Sequence, residues 1–479
     1  MRAVALIAFA TLATACRASL PPPSLPLNRT AEAPKYATRP TPLEEIDGPK
    51  PAPIVQQKLD NGLTVFVVEQ PGVPLTSIGY INRAAQEFQD AEDRPIGLAS
   101  MTASALLEGT AIDEDTIIED LRIAGRRPYA FAFEDGTFAG VTVGERGFST
   151  AVAMIARMVR TPALGATHLA DASSGVVRAF PRQKSALRTR MRRLLFERWY
   201  GATHAWALEP KALKEVASEL TPVDIRKYHR TVFIPRHSAV VLNGAITATA
   251  AFALVERHFG DWSDDPGEPL RDSQRFVQRE HDDAVTFLLP ADEEDATVMA
   301  GFTAPPFGHG DMHAVHILAQ ILGGPLTSRT QVRLRHERGL TYSAGATYTP
   351  HKNAGYVELA AAVDNDEVAS VATLIRAEVR RVRSEGVGAE ELRAAKAAYR
   401  RTYSLQDPDA ATIQLGLAFC SGRDAAWFEA VDAAIDAITA EDVERVAKKY
   451  VPEHVDLVLA GDAKAFDGLK VAGVVNLIQ

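Results

Sequence analysis

Cysteine is nearly absent. The 479 residues hold two, Cys16 and Cys420, which excludes a disulfide framework as the source of stability. Beyond the first fifty positions there is no run of roughly 20 apolar residues, so no membrane-spanning helix is expected there. Positive charge is scarce as well: 52 Lys and Arg stand against 61 Asp and Glu, for a net charge of -9 and a pI near 5.8. A phosphate backbone demands a basic stripe, so nucleic acid is excluded as the principal partner. At this length and 46% hydrophobic content, the chain is too long for one core and too apolar for disorder, and two or more globular domains follow.

The first positions have the pattern of an export signal. Arg2 supplies a positive start, residues 3–12 an apolar stretch, and Ala13, Thr14 and Ala15 the small residues at which a signal peptidase cuts. Residues 1–15 are therefore expected to be a signal peptide. Cys16 follows directly, in an arrangement that resembles a bacterial lipobox, although Ala13 stands where leucine is usual. Acylation of Cys16 would leave an exported, periplasmic protein anchored through its N-terminal lipid to the outer membrane. A plain secretory signal with an incidental cysteine is the other reading. Residues 16–53 carry PPPSLP, RPTP and GPKPAP with few large apolar side chains, the composition of a stiff, unstructured tether.

Folded sequence begins near residue 54. In LDNGLTVFVVEQ (59–70), Asn61-Gly62 is a turn pair ahead of alternating apolar positions, which predicts a hairpin at a sheet edge. Periodicity places helices near 96–108, 113–125, 149–160 and 184–198, with strands at 130–133 and 138–143 between them. That mixed order indicates an α+β fold. TPVDIRKYHRTVFIP (221–235) leads into SAVVLNG, and TAEDVERVAKKYVP (439–452) leads into VDLVLAGD. Each copy opens with a threonine three residues before an aspartate, Thr221 with Asp224 and Thr439 with Asp442, the pairing of a helix capping box. The expected organisation is a duplicated unit, residues 54–265 and 266–479, joined through the polar run at 264–278. Each unit would be a mixed sheet with helices packed on it, the two facing each other like a clam around a groove where a ligand could bind.

The window PIGLASMTASALLEGT (95–110) resembles the active helix of the insulinase/pitrilysin metallopeptidase family, which runs from Gly-Leu-Ala through His-x-x-Glu-His to Gly-Thr. Matching Gly97, Leu98 and Ala99 to the start and Gly109 and Thr110 to the end puts Ser100 and Ser104 at the two histidine positions and Ala103 at the glutamate. Two imidazoles one turn apart and a distal carboxylate would hold zinc, with the glutamate as general base. Hydroxyl and methyl groups do neither. The family's distal glutamate lies about 75 residues further on, where this sequence has Arg178, Ala179 and Phe180. The resemblance thus implies a member without catalytic zinc ligands, so that no metal or cofactor is expected in this chain. His309, His313 and His316 with Asp311 are the nearest substitute, and they are expected to mark a helix start with the histidines facing solvent. His336 and Glu337 form a solitary pair, and Gly323-Gly324 a helix stop.

A second stretch, ILGGPLTSRTQVRLRHERGLTYSAGATY (321–348), resembles the family's substrate-binding segment. There an arginine and a tyrosine seven residues later reach across the groove to the substrate, and Arg335 and Tyr342 have that spacing. A guanidinium can hold a peptide carbonyl and a phenol can donate to an oxyanion formed on it. The resemblance, which covers about residues 54–470, implies a non-catalytic subunit that binds extended peptides and supplies Arg335 and Tyr342 to a homologous zinc-bearing partner in a heterodimeric protease. The alternative is a structural or peptide-binding envelope lipoprotein with no part in proteolysis.

Overall fold

The computed structural model describes residues 53–83, 97–108, 128–179, 183–202, 204–207, 219–263, 283–403, 407–466 and 474–477. The expected signal peptide, Cys16, the tether to residue 52, the helix near 113–125 and the junction at 264–278 lie outside the described residues.

The first sheet has the order β1-β2-β6-β3-β5-β4, with β1 Ile54–Lys58, β2 Thr64–Glu69, β3 Leu75–Asn82, β4 Tyr129–Phe133, β5 Gly136–Gly144 and β6 Ser238–Gly244. The hairpin read from Asn61-Gly62 forms as β1 and β2, with β1 at the sheet edge. Asn61 has a second role. Its amide donates to the carbonyls of Phe259 (2.7 Å) and Trp262 (3.0 Å), tying the turn to the end of a helix 198 residues away. β2 and β6 are buried along almost their whole length, the mark of strands covered on both faces.

On one face, Val65, Val67, Val141, Val240 and Leu242 meet the unit's own helices: α1 Leu98–Ala105, α2 Phe148–Arg160, α3 Ala166–Ala179, then, beyond α4, α5 Pro222–Val232 and α6 Ala248–Phe259. α4, Gln183–Tyr200, goes elsewhere.

The second sheet, β12-β7-β11-β8-β10-β9, repeats five strands of the first in order and differs at one edge, where β12 runs parallel to β7 while β1 runs antiparallel to β2; its strands are β7 Val285–Pro290, β8 Asp295–Ala304, β9 Ala344–Pro350, β10 Gly355–Asp364, β11 Asp456–Gly461 and β12 Val474–Leu477. Its helices are α7 Met312–Gly323, a short α8 Arg329–Gln331, α9 Val368–Ser384, α10 Ala389–Thr402, α11 Pro408–Cys420, α12 Ala425–Glu429, α13 Val431–Ala437 and α14 Ala440–Tyr450. Both capping boxes form: Thr221 with Asp224 on α5 and Thr439 with Asp442 on α14, in each case immediately upstream of the strand central to its sheet. With helices packed on mixed sheets, the fold is α+β.

Each half lends one helix to the other. α4 buries Leu187, Met191, Leu194, Leu195 and Trp199 against Leu289, Met299, Val458 and Ala460 of the second sheet. In return α11 covers the face of the first sheet that carries Phe66, Ile81, Phe138 and Val241. A glycine on the corresponding strand of each sheet, two residues apart in register, admits the visitor. A Cβ on Gly79 of β3 would lie 2.3 Å from Thr412 Cγ2 of α11, and one on Gly301 of β8 would lie 2.7 Å from Trp199 of α4. Polar anchors fix both helices. Asp409 accepts from Ser77 (2.9 Å) and Thr142, while Arg188 (2.8 Å) and Arg192 (2.6 Å) hold the buried Glu358 of β10. Burial alone would raise the Glu358 carboxyl, and the two guanidiniums reverse that and hold it below its usual range. Residues 51–479 accordingly form one compact unit.

One expectation is corrected. Asp311 does stand at the start of α7, but its side chain makes no cap; it accepts from Arg445 (2.7 Å), Lys449 (2.8 Å) and Tyr450 (2.7 Å) of α14. Two of the histidines face inward. His316 is buried and stacks on Tyr399 at 4.3 Å, and His313 Nδ1 lies 2.8 Å from the Tyr399 hydroxyl. Only His309 is exposed. The reason is non-local: α7 is enclosed by β9, α10 and α14, so nearly every side it presents is covered.

Candidate functional site

α1 opens at Gly97, whose φ of 89° lets the chain turn sharply into the helix. Leu98, Ala99, Met101, Ala103 and Ala105 are buried, which wedges the helix among α3, β4 and α5. Ser100 and Ser104 fall one turn apart on the remaining, half-buried side. The Ser104 hydroxyl donates to the Ala172 carbonyl of α3 at 3.2 Å. A position that would grip a metal in the family motif is thus used to hold two helices together.

These residues do not fit zinc. Serine hydroxyls are poor ligands beside imidazole or thiolate, and the Ala103 methyl group, fully buried, has no base to offer. Arg178 and Ala179 end α3, and Phe180, Gly109 and Thr110 lie outside the described residues. Among the described residues no group of three His, Cys, Asp or Glu side chains is placed to share a cation. His336 and Glu337 also serve separate purposes: His336 Nε2 lies 3.2 Å from the Leu326 carbonyl, and Glu337 pairs with Arg333 at 2.9 Å.

The second candidate pair is brought together. α8 runs straight into a π-helical turn, Val332–His336, closed by the Glu337 N–H on the Val332 carbonyl at 2.9 Å. Such turns interrupt helices mostly where a side chain must be re-aimed. After the bend at Gly339, the Leu340 N–H returns to the Leu334 carbonyl (2.8 Å), and the Thr341 hydroxyl donates to the Ala362 carbonyl of β10 (2.6 Å). Leu334 and Thr341 are buried, and the residue after each is less so, one half-buried and the other exposed. Those residues are Arg335 and Tyr342. The guanidinium lies over the phenol ring, 4.6 Å from its centre, and Tyr342 is 83% exposed. A stacked cation of this kind is worth about 0.5–1 kcal/mol at an exposed site, enough to align the two donors without locking them. Among the described residues no hydrogen bond or ion pair joins this pair to α1.

Each sheet ends in an edge strand: β9, which starts two residues after Tyr342, pairs only with β10 among the described strands, and β4 of the first sheet only with β5. β4 carries an aromatic face outside the residues expected from the sequence. Tyr129 and Phe131 stack at 6.1 Å, Phe131 stacks on Phe138 at 5.7 Å, and Phe131 is 40% exposed. The alternation Tyr-Ala-Phe-Ala-Phe was the available signal. Burial, reinforced by Asp409 and partly offset by Ser77, pushes the Tyr129 hydroxyl up to about 12. The signal was absent for a cleft of about 430 Å³ on the α4 side of β8, β9 and β10, whose lining is drawn from residues 187 to 362.

Comparison with known proteins agrees with this geometry. Residues 219–399 match the peptidase M16 inactive domain. A protein of Mycobacterium leprae described as an uncharacterized zinc protease is 24% identical over 249 residues, 52% of this chain and 56% of its own length, so the chain spans about half the length of the curated relatives it matches. Among solved structures, a peptidase M16 inactive domain from Pseudomonas fluorescens superimposes with a TM-score of 0.72 at 20% identity, covering 86% of this chain and 98% of the other. The periplasmic protease PqqL from Escherichia coli does so with a TM-score of 0.70 at 14% identity, covering 88% and 49%.

Proposed function

We propose that this chain is a member of the insulinase/pitrilysin family of peptidases whose motif helix lacks the zinc-binding residues, a reading supported by the match over residues 219–399, and that it is the substrate-holding subunit of a two-chain metallopeptidase. A homologous partner carries the zinc and the general base; this chain carries Arg335 and Tyr342. The single observation behind the reading is the contrast between the two segments. The motif helix has become packing, with Ser104 spent on α3, while Arg335 and Tyr342 stay stacked and outward.

In the complex an extended peptide is held by main-chain hydrogen bonds along a free sheet edge. Arg335 takes a carbonyl oxygen near the scissile bond in its fork of N–H donors. Tyr342 donates to the oxygen as negative charge builds on it. Both donors are in place before the peptide arrives, which lowers the cost of ordering them. Export and attachment at the periplasmic face through a lipid on Cys16 complete the reading, with residues 16–53 as the tether.

The test is reconstitution. Co-purification with a homologue bearing an intact His-x-x-Glu-His helix is expected, and the pair cleaves extended peptides. Turnover that is unchanged in both Arg335→Ala and Tyr342→Phe removes the assisted-catalysis role and leaves a peptidase-derived envelope protein that binds without cleaving.

A further inference from the structure

We propose that Gln331 is the positioning residue that holds Arg335 over Tyr342, by fastening the helical turn that carries the arginine to the strand that follows the tyrosine. The proposal rests on the substrate-holding reading above and adds a residue to it.

Gln331 stands where an apolar side chain is expected. Thr330, Gln331 and Leu334 are the side chains that α8 and its π-helical turn bury, and Gln331 is only 6% exposed. Leucine is the kind of residue such positions usually take; a buried glutamine is the informative exception. Its amide N–H donates to the Ala344 carbonyl. A carbonyl can only accept, so the other end of the amide is the oxygen, and that oxygen is buried with no partner among the described residues. An acceptor left in that state costs stability. Gln331 is thus a poor choice for packing, and what it supplies is the bond to Ala344.

That bond closes the base of one loop. Gln331 is the last residue of α8, directly before the π-helical turn with Arg335, and Ala344 is the first residue of β9, two after Tyr342. Ala344 is a fixed point, buried and paired with Ala361 of β10. Among the described residues no other side chain in the loop hydrogen-bonds from the turn to the strand. Arg333 pairs with Glu337 of its own turn at 2.9 Å and lies 3.6 Å from Glu378 of α9. His336 Nε2 faces the Leu326 carbonyl, and the Thr341 hydroxyl turns to the Ser343 and Ala362 carbonyls. The backbone adds the Leu340 N–H on the Leu334 carbonyl. A stacked cation is weak by itself, so the 4.6 Å between guanidinium and ring centre is set by the backbone on either side, and Gln331 sets that backbone.

Arginine side-chain NMR of the full chain tests this. A proton above a phenol ring is shifted upfield, so the Arg335 Nε–H, identified by its absence in Arg335→Ala, should be displaced in the wild type and not in Tyr342→Leu. Gln331→Met keeps the length and volume of the side chain and drops the donor; Gln331→Asn keeps the amide and falls short of Ala344. Both are expected to lose most of the displacement while the chain stays folded. In the reconstituted peptidase both should lower kcat roughly tenfold with KM little changed, the mark of a misplaced group, and neither should lower it further in an Arg335→Ala background. A displacement that survives in both variants overturns the proposal, as does a loss of turnover by Gln331→Met that is as large in Arg335→Ala as in wild type. Displacement lost in both variants, with turnover indifferent to Arg335→Ala, keeps Gln331 as the residue that aligns the pair and overturns the peptidase reading instead.

Discussion

Arg335 and Tyr342 each follow a residue whose burial fixes the backbone, Leu334 and Thr341, so the placing of the half-buried guanidinium and the exposed phenol is built into the fold. Removing them should cost chemistry and not stability. Arg335→Ala and Tyr342→Phe are each expected to reduce turnover by the reconstituted peptidase on the order of 10²-fold, while chemical unfolding of the isolated chain shifts by no more than about 0.5 kcal/mol. The buried histidines behave in the opposite way. Burial depresses His316 to about 3, and His204, His229 and His313 to about 4, from the ordinary 6.5. In the unfolded chain they take protons below about pH 6.5, whereas the folded chain keeps them neutral until pH 3 to 4. Stability is therefore full above pH 6.5 and falls as the pH drops through that window, by a few kcal/mol in total. Urea titrations at pH 7.5 and 5 measure the loss, and His316→Phe should make it smaller. A stability that stays flat between those two pH values would contradict the assignment.

Elements show which parts of the account could be read from residues alone. The capping boxes at Thr221 and Thr439 were legible because a cap is decided within four residues. The hairpin at Asn61-Gly62 was legible for the same reason, though the grip of Asn61 on Phe259 and Trp262 was not. His316 was misjudged because its surroundings come from α10 and β9, distant in sequence. Gly79 and Gly301 look like ordinary strand glycines until α11 and α4 are seen lying on them. The cleft could not be read at all, since its walls come from four separate stretches. The exchanged helices also give a prediction at this scale. Gly301→Val would push a branched side chain into Trp199, and Gly79→Val into Thr412, each destabilising by about 1–3 kcal/mol. Thermal unfolding checks it, and a variant as stable as wild type in either case would show that the helix can move aside.

At the scale of the whole molecule, the reciprocal loan of α4 and α11 makes the halves depend on each other. Residues 53–263 alone would carry α4 with Leu195 and Trp199 uncovered and would leave Phe66 and Phe138 bare. Expressed apart, the two halves should be aggregation-prone; expressed together, they should assemble into a soluble pair, which size-exclusion chromatography detects. A half that is monomeric and cooperatively folded alone would contradict the exchange.

The duplication also frames the functional account. One sheet keeps aromatic rings on its edge strand and the other has an open cleft beside its own, so the two copies of one unit have diverged. The reading stands most directly on turnover in a mixture of purified chains. The account predicts that a zinc-bearing homologue cleaves peptides slowly alone, rapidly with this chain, and slowly again with the Arg335→Ala, Tyr342→Phe variant. Chelator-sensitive cleavage by this chain alone, with one tightly held zinc per molecule, would contradict it.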